Sequence, residues 1–148
     1  MSRRPRIAVI TVGVLAFVVV SALLARVLTV GNAERTAMLE LARAEAHADE
    51  AGVLRRVSAC RTGSACRARL PRILARVSHP GRVRILRLDG PSGVAIAGRS
   101  GTARLAWKAG DALPIVQCFR LRTEGNPLQG YRVRVVSIAD PIKLDASC

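Results

Sequence analysis

An uncharged apolar stretch from Ile7 to Ala25 constrains this chain more than any other feature of its sequence. As an α-helix that rises about 1.5 Å per residue, its 19 residues match the roughly 30 Å thickness of a bilayer's hydrocarbon layer. Arg26 interrupts the run, and residues 27–30 resume it. The sequence therefore predicts a single transmembrane anchor over residues 7–30.

Three arginines precede this stretch and indicate its orientation. Arg3, Arg4 and Arg6 lie within residues 1–6, and cationic residues favour the cytoplasmic side of a membrane span. We therefore expect a cytoplasmic basic flank over residues 1–6 and an extracytoplasmic location for everything beyond the anchor.

Two other interpretations of the apolar stretch stay open. A cleaved signal peptide is one, since Val20-Ser21-Ala22 offers residues that a signal peptidase accepts, and the protein would then be secreted. The run continues beyond Ala22, which favours the uncleaved anchor because signal-peptide cores are shorter. The other is a buried helix of a soluble domain, where branched aliphatic residues directly after three arginines are unusual.

The four cysteines support export. They all follow the apolar stretch, and an even number of cysteines in an exported chain indicates disulfides. Of the three complete pairings, spacing favours Cys60–Cys66 and Cys118–Cys148, and four reduced thiols in the core are the alternative. No Cys-x-x-Cys pair exists and the two histidines are distant in sequence, so we expect neither a metal nor a cofactor.

The exported part begins with helix-favouring sequence. Gly31-Asn32 predicts a break after the anchor, and an alanine-rich juxtamembrane helix is predicted over residues 31–59. Five residues share one stripe of this helix: Ala37, Leu41, Ala44, Ala48 and Ala51. This stripe would pack either on the protein's own sheet or on a partner surface.

A second, shorter helix is predicted after the first cysteine pair. Four apolar residues recur there at helical spacing: Leu70, Ile73, Leu74 and Val77. Pro71 suits the first turn of this helix better than its interior, and His79-Pro80-Gly81 predicts its end.

The remainder of the chain changes from helical to alternating periodicity. Candidate strands cover residues 82–85, 94–97, 102–108, 114–122 and 131–138, and the turn-rich segment 124–130 predicts a hairpin between the last two. This order favours an α+β fold with an N-terminal transmembrane helix, one long and one short helix, and an antiparallel sheet of about five strands. Residues 60–148 are the predicted disulfide-bonded extracytoplasmic α+β domain.

Arginines alternate with apolar residues along these strands. Because side chains two residues apart share one face of a sheet, a row of arginines is predicted on the outer face: Arg82, Arg84, Arg104, Arg120, Arg122, Arg132 and Arg134. Guanidinium groups suit phosphate and carboxylate oxygens, so this face is a candidate site for DNA, a wall polymer or lipid headgroups. A solvated outer face, rich in arginine because of a GC-rich coding sequence, is the alternative.

The formal net charge of +14 also suits an anionic partner. Only Lys108 and Lys143 of the 24 cationic residues are lysines, which is the bias that a GC-rich gene would produce. Proteins that bind single-stranded nucleic acids also stack the bases on aromatic side chains. Aromatic residues make up only 3% of this chain. The sequence therefore argues against nucleic acid as the partner.

Catalytic signatures are missing from the sequence. His47 lies in a charged helical segment and His79 precedes Pro80, and neither has a nucleophile or a metal ligand at a catalytic spacing. No Gly-x-Ser-x-Gly, P-loop or His-Glu-x-x-His motif occurs. We therefore predict no enzymatic activity and no catalytic residues.

The layout resembles that of type IV pilins and pseudopilins: a basic amino terminus, a hydrophobic helix, an amphipathic continuation, and an antiparallel sheet closed by a carboxy-terminal cysteine, Cys148. Prepilins carry a glutamate at the fifth mature position, whereas Val18 occupies that position after Gly13. The resemblance implies a pilin-like structural subunit and transfers no functional residue.

These patterns together predict a single-pass protein of the cell envelope with a binding or assembly role. Its expected partners are the membrane and either an envelope protein or further copies of the chain, with an anionic polymer as an additional candidate. A receptor for an anionic ligand and a pilin-like subunit are the alternative functions.

Overall fold

The computed structural model describes residues 3–90, 99–126 and 130–148. The chain divides into two compact units, residues 1–32 and residues 33–148. One helix, α1 (Arg3–Ala46), contributes residues to both units.

The first unit contains the apolar stretch. Ile7–Ala25 has a mean hydropathy of 2.9, and its residues are exposed. It is the one helical segment among the described residues that is long and apolar enough to cross a membrane. This agrees with a membrane anchor or a signal sequence at the amino terminus.

The expected break at Gly31-Asn32 is wrong, because α1 continues through both residues as far as Ala46. A glycine inside a helix costs only about 1 kcal/mol relative to alanine, and helix-favouring residues on both sides offset this cost. The helix ends instead at a corner where Ala48 adopts the left-handed conformation with φ 52°.

Two shorter helices follow this corner, where the juxtamembrane helix was expected to continue to residue 59, and the predicted second helix comes after them. Helix α2 (Glu50–Arg56) is capped at its N-terminus by Asp49, whose carboxylate accepts a hydrogen bond of 2.9 Å from the Gly52 N–H. Helices α3 (Ser58–Thr62) and α4 (Ser64–Val77) come next.

Helix α4 confirms the predicted short helix, because Leu70, Ile73, Leu74 and Val77 are all buried. Pro71 lies in its interior rather than in its first turn, since the helix begins as early as Ser64. The proline is exposed, so water can bond to the carbonyl that lacks its usual partner there.

Four antiparallel strands form one sheet in the order β1-β2-β3-β4. They are β1 (Val83–Asp89), β2 (Arg99–Ala109), β3 (Ile115–Asn126) and β4 (Gly130–Ile138). The α+β class is confirmed, and β3 and β4 pair as the predicted hairpin. The sheet has four strands where about five were expected, and the remaining candidate, residues 94–97, lies outside the described residues.

The core lies on one face of this sheet, which we call the inner face. Fully buried Leu105 and Trp107 of β2 and Phe119 of β3 form one hydrophobic cluster with Met38 and Leu41 of α1. Buried residues of α2, α3 and α4 belong to the same cluster. The second half of α1 and the short helices therefore supply the partner layer of the inner face.

The predicted alanine stripe packs inside the protein over only part of its length. Leu41 and Ala44 are buried in the core, whereas Ala48 and Ala51 are exposed. The stripe fails beyond residue 46 because the helix ends there and the next helix takes another direction.

Candidate functional site

Both disulfides form in the pairing that spacing favours. The Cα atoms of Cys60 and Cys66 lie 4.7 Å apart, and those of Cys118 and Cys148 lie 5.8 Å apart. No cysteine is free. The second bridge ties Cys148 to Cys118, near the start of strand β3.

The outer face of the sheet carries most of the predicted arginine row. Arg122 of β3 lies opposite Arg134 of β4, and Arg120 lies opposite Ser137. Arg84 of β1 lies opposite Lys108 of β2. Arg104 and Arg132 occupy the same face, whereas Arg82 precedes β1 and is outside the sheet. The seven positions therefore do not form one continuous row.

Arg104 holds the carboxy-terminal segment of the chain. Its Nε donates to the Ala146 carbonyl at 3.0 Å, its Nη2 donates to the Leu144 carbonyl, and a second amino group lies 3.6 Å from Asp89. Only 20% of its side chain is exposed. The guanidinium of Arg104 is therefore engaged within the fold, unlike a freely exposed member of the predicted row.

The carboxy-terminal segment lies over the outer face near Arg104. The Ile142 N–H donates to the Val116 carbonyl at 2.8 Å, and Val116 is buried although its side chain points outward from the sheet. Sequence reasoning found no periodicity in this segment. Its position depends on Arg104 and the Cys118–Cys148 bridge, which are distant from it in sequence.

Two further arginines of the row are paired with one acidic residue. Glu124 lies 3.4 Å from Arg122 and 3.2 Å from Arg134. Like charges directly opposite each other on a sheet are destabilising, so Glu124 offsets the repulsion between these two guanidinium groups. At the β1 edge, Arg87 donates to Asp89 at 2.8 Å and holds the pKa of Asp89 below its ordinary value.

Three members of the row lack a salt-bridge partner among the described residues, although Glu124 lies directly opposite Arg132 in the β3–β4 ladder. Arg84, Arg120 and Arg132 are exposed, and no carboxylate of the described residues lies within salt-bridge distance of them. Lys108 lies beside Arg84. We call these three residues the open arginines.

Helices α3 and α4 carry a second basic surface that the sequence analysis missed. Its exposed members are Arg61, Arg67, Arg69, Arg72 and Arg76. Asp140 pairs with Arg69 at 2.8 Å and lies 4.0 Å from Arg76. The spacing of Arg69, Arg72 and Arg76 at i, i+3 and i+7 places them on one helical stripe, and this pattern could have revealed the surface.

Two clefts are present in the second unit. One, of about 320 Å³, lies beside the first disulfide and is mostly apolar, with Ile73 and Ile138 in its wall and Arg69 at its rim. The other, of about 290 Å³, is polar and is lined by Glu40, Arg43, Ala44, His47, Asp49 and Arg56. Its Arg56 lies 3.7 Å from Glu40, and its Asp49 caps α2, so these charges already have partners within the fold.

Glu45 is the most unusual ionisable residue of the described chain. It lies in the last turn of α1 and is completely buried, and burial raises its pKa to about 8 while the nearby Gln117 amide offsets part of that rise. Gln117 is also fully buried and accepts a 3.1 Å hydrogen bond from the Trp107 indole. Glu45 lies within the juxtamembrane helix predicted over residues 31–59, and the sequence pattern did not single it out.

The described residues contain no cluster of three or more histidines, cysteines or acids that could hold a metal ion. A scan against protein-family models, a search of curated proteins and a search of solved structures each return no match.

Proposed function

We propose that this chain is a membrane-anchored, extracytoplasmic binding or assembly protein without catalytic activity. The observation that carries the proposal is the composition of helix α1. One part of it, Ile7–Ala25, is apolar and wholly exposed, and a later part supplies Met38 and Leu41 to the core of a disulfide-bonded unit. An apolar helix of this length favours a lipid environment.

The disulfides support the extracytoplasmic side for the second unit, because cysteines oxidise and stay oxidised outside the cytoplasm. The arginines before the span support a cytoplasmic amino terminus. In this topology the arginine-bearing surfaces face the envelope, where a protein partner or a polymer can reach them.

The anchor is tested with a charge placed near the centre of the apolar segment. Leu15→Arg should reduce the fraction of full-length protein that stays in the membrane pellet after alkaline carbonate washing, because a central arginine costs about 2.5–3.5 kcal/mol on insertion. Leu113→Arg is the matched control, since Leu113 is exposed outside this segment. Equal membrane retention of the two variants would contradict the anchor, and an amino terminus near residue 23 in the mature protein would establish the signal peptide instead.

The open arginines favour a second candidate function, the binding of an anionic polymer. Full-length protein in neutral detergent should elute from heparin at lower salt when Arg120 and Arg132 are both changed to glutamine. The control Arg122→Gln with Arg134→Gln removes the same charge from residues already paired with Glu124. If both double variants shift elution equally, the interaction reflects net charge alone and this candidate function fails.

A pilin-like structural subunit is a third candidate, favoured by the long helix α1, the four-stranded antiparallel sheet and the carboxy-terminal disulfide. Filaments on the cell surface that contain this chain would support it. Wild-type protein that stays monomeric in the membrane under native extraction would contradict it.

A further inference from the structure

Glu45 is buried without the partners that a buried carboxylate ordinarily has. Its exposure is 0%, and neither carboxylate oxygen has a hydrogen bond of normal geometry. Among the described residues, no cationic nitrogen lies within salt-bridge distance of it. An ionised carboxylate in such a site is costly, whereas the neutral acid is tolerated.

Gln117 connects Glu45 to other polar groups of the sheet. Strand β3 contributes Gln117, and strand β2 contributes Trp107, whose Nε1 donates to the Gln117 Oε1 at 3.1 Å. The Gln117 Nε2 donates to the carbonyl of Ala139, just after β4, at 3.5 Å. One side chain, Gln117, therefore lies between Glu45 and the Trp107 indole.

Charged groups on the neighbouring elements do not neutralise Glu45. Arg43 and His47 lie on the same helical end and are exposed, and Arg56 of α2 pairs with Glu40. His79, after α4, is half-buried, and its backbone N–H donates to the Ala46 carbonyl at 3.1 Å. The carboxyl group itself therefore carries the proton-dependent change at this site.

Each carbonyl from Arg43 to Ala46 accepts a backbone hydrogen bond, so the helical end that carries Glu45 is closed in the structure. The Ala48 N–H donates to the Glu45 carbonyl at 3.0 Å, and the Asp49 N–H donates to the Ala44 carbonyl at 2.8 Å. Ala48 itself has φ 52°, a conformation that costs an L-residue about 1–2 kcal/mol. Opening this corner relieves that strain, which offsets part of the free energy needed to break these hydrogen bonds.

We propose that Glu45 is a proton-linked switch for the docking of the last turn of α1 on the sheet. In its neutral form the side chain stays beside Gln117 and the turn packs on the inner face. When the proton leaves, the carboxylate requires water or a cation, and the turn moves away from β3 to admit it. This switch is independent of the membrane and binding roles proposed above.

The single tryptophan of the chain, Trp107, is a built-in reporter of this change. Full-length protein in neutral detergent should show a red shift of tryptophan emission as the pH rises from 6 to 9.5, with a midpoint near pH 8. Amide exchange at His79 and Asp49, corrected for its intrinsic pH dependence, should accelerate over the same range. Above the midpoint, the population of the open turn should rise.

Glu45→Gln should abolish both changes, because it keeps the shape of the side chain and cannot ionise. Glu40→Gln is the matched control on the same helix, where the acid is exposed, and it should titrate like the wild type. A Glu45→Gln protein with the wild-type pH profile would overturn the proposal.

A measurement on the wild type keeps the proposal testable if Glu45→Gln does not fold. Infrared spectroscopy should show the C=O stretch of a protonated carboxylic acid at pH 6.5, where exposed acids are ionised, and this band should disappear by pH 9.5. If no protonated carboxyl is present at pH 6.5, Glu45 is already ionised in the closed state and the switch does not exist.

Discussion

The two faces of the sheet differ in how they are covered, and the difference shows where this fold derives its stability. The inner face packs Leu105, Trp107 and Phe119 against helices, so burial of apolar surface dominates there. The outer face is largely charged and is crossed by a short carboxy-terminal segment held by Arg104 and one disulfide. Substitutions on the inner face should therefore lower the free energy of unfolding more than substitutions on the outer face.

The largest effect is expected at the centre of the inner face. Phe119→Ala should lower the free energy of unfolding by about 4 kcal/mol, because Phe119 is fully buried and its removal leaves a cavity. Denaturant unfolding of the full chain in detergent measures this change. A loss below about 1 kcal/mol would mean that the inner face is not the principal core.

Glu45 breaks the apolar character of the inner face, and its effect depends on pH. Its pKa of about 8 lies above the ordinary value of 4.5, so the folded protein keeps a proton that the unfolded chain loses as pH rises between these values. Stability should fall with pH in this window and level off above pH 8. Glu45→Gln should remove this slope and gain on the order of 3 kcal/mol at pH 7.

Thermal or denaturant unfolding at pH 5, 7 and 9 measures this slope for the wild type and for Glu45→Gln. Glu40→Gln should keep the wild-type slope, because Glu40 is exposed. Parallel pH profiles for wild type and Glu45→Gln would show that the buried acid does not control stability.

On the outer face, the disulfide should contribute most. Changing both Cys118 and Cys148 to serine should cost about 3 kcal/mol, because their bridge closes a loop of 30 residues in the unfolded chain. Changing Cys60 and Cys66 together should cost about 2 kcal/mol, since their bridge spans only 6 residues. The opposite order of the two losses would contradict a loop-entropy origin.

Arg104→Gln should have the smallest of these effects, about 1–2 kcal/mol, because it removes charged hydrogen bonds to the carbonyls of Leu144 and Ala146. Proteolysis near residues 140–147 should accelerate in this variant while the core resists cleavage. Arg120→Gln is the control, because Arg120 is exposed. This substitution should leave the rate of proteolysis unchanged. Equal protection of the carboxy-terminal segment in both variants would mean that Arg104 does not hold it.

Local sequence patterns predicted most of the fold. The apolar stretch, the short helix with Leu70 and Ile73, and the β3–β4 hairpin each depend on residues that are close in sequence. Helix boundaries were predicted less well, because the corner at Ala48 depends on how Asp49 caps α2 and how residues 41–46 pack on the sheet. Neither of these is a property of the helix alone.

The arginine row was predicted only in part, because alternation gives the face on which a side chain lies but not the residues that it contacts. Alternation placed Arg84, Arg120 and Arg132 correctly on an outer face, since a strand fixes the face of every second residue. It could not reveal that Glu124 forms ion pairs with Arg122 and Arg134. Nor could it reveal that Arg104 donates hydrogen bonds to the carboxy-terminal segment. Those contacts arise between distant parts of the chain.

The sequence by itself determined the apolar segment at the amino terminus, the α+β class and the favoured cysteine pairing, because length, periodicity and spacing are local quantities. Only the tertiary structure decided which arginines keep a free charge, where the carboxy-terminal segment lies, and that Glu45 has no compensating partner. Charge and burial depend on the neighbours that a side chain acquires when the chain folds, and a local pattern does not contain those neighbours.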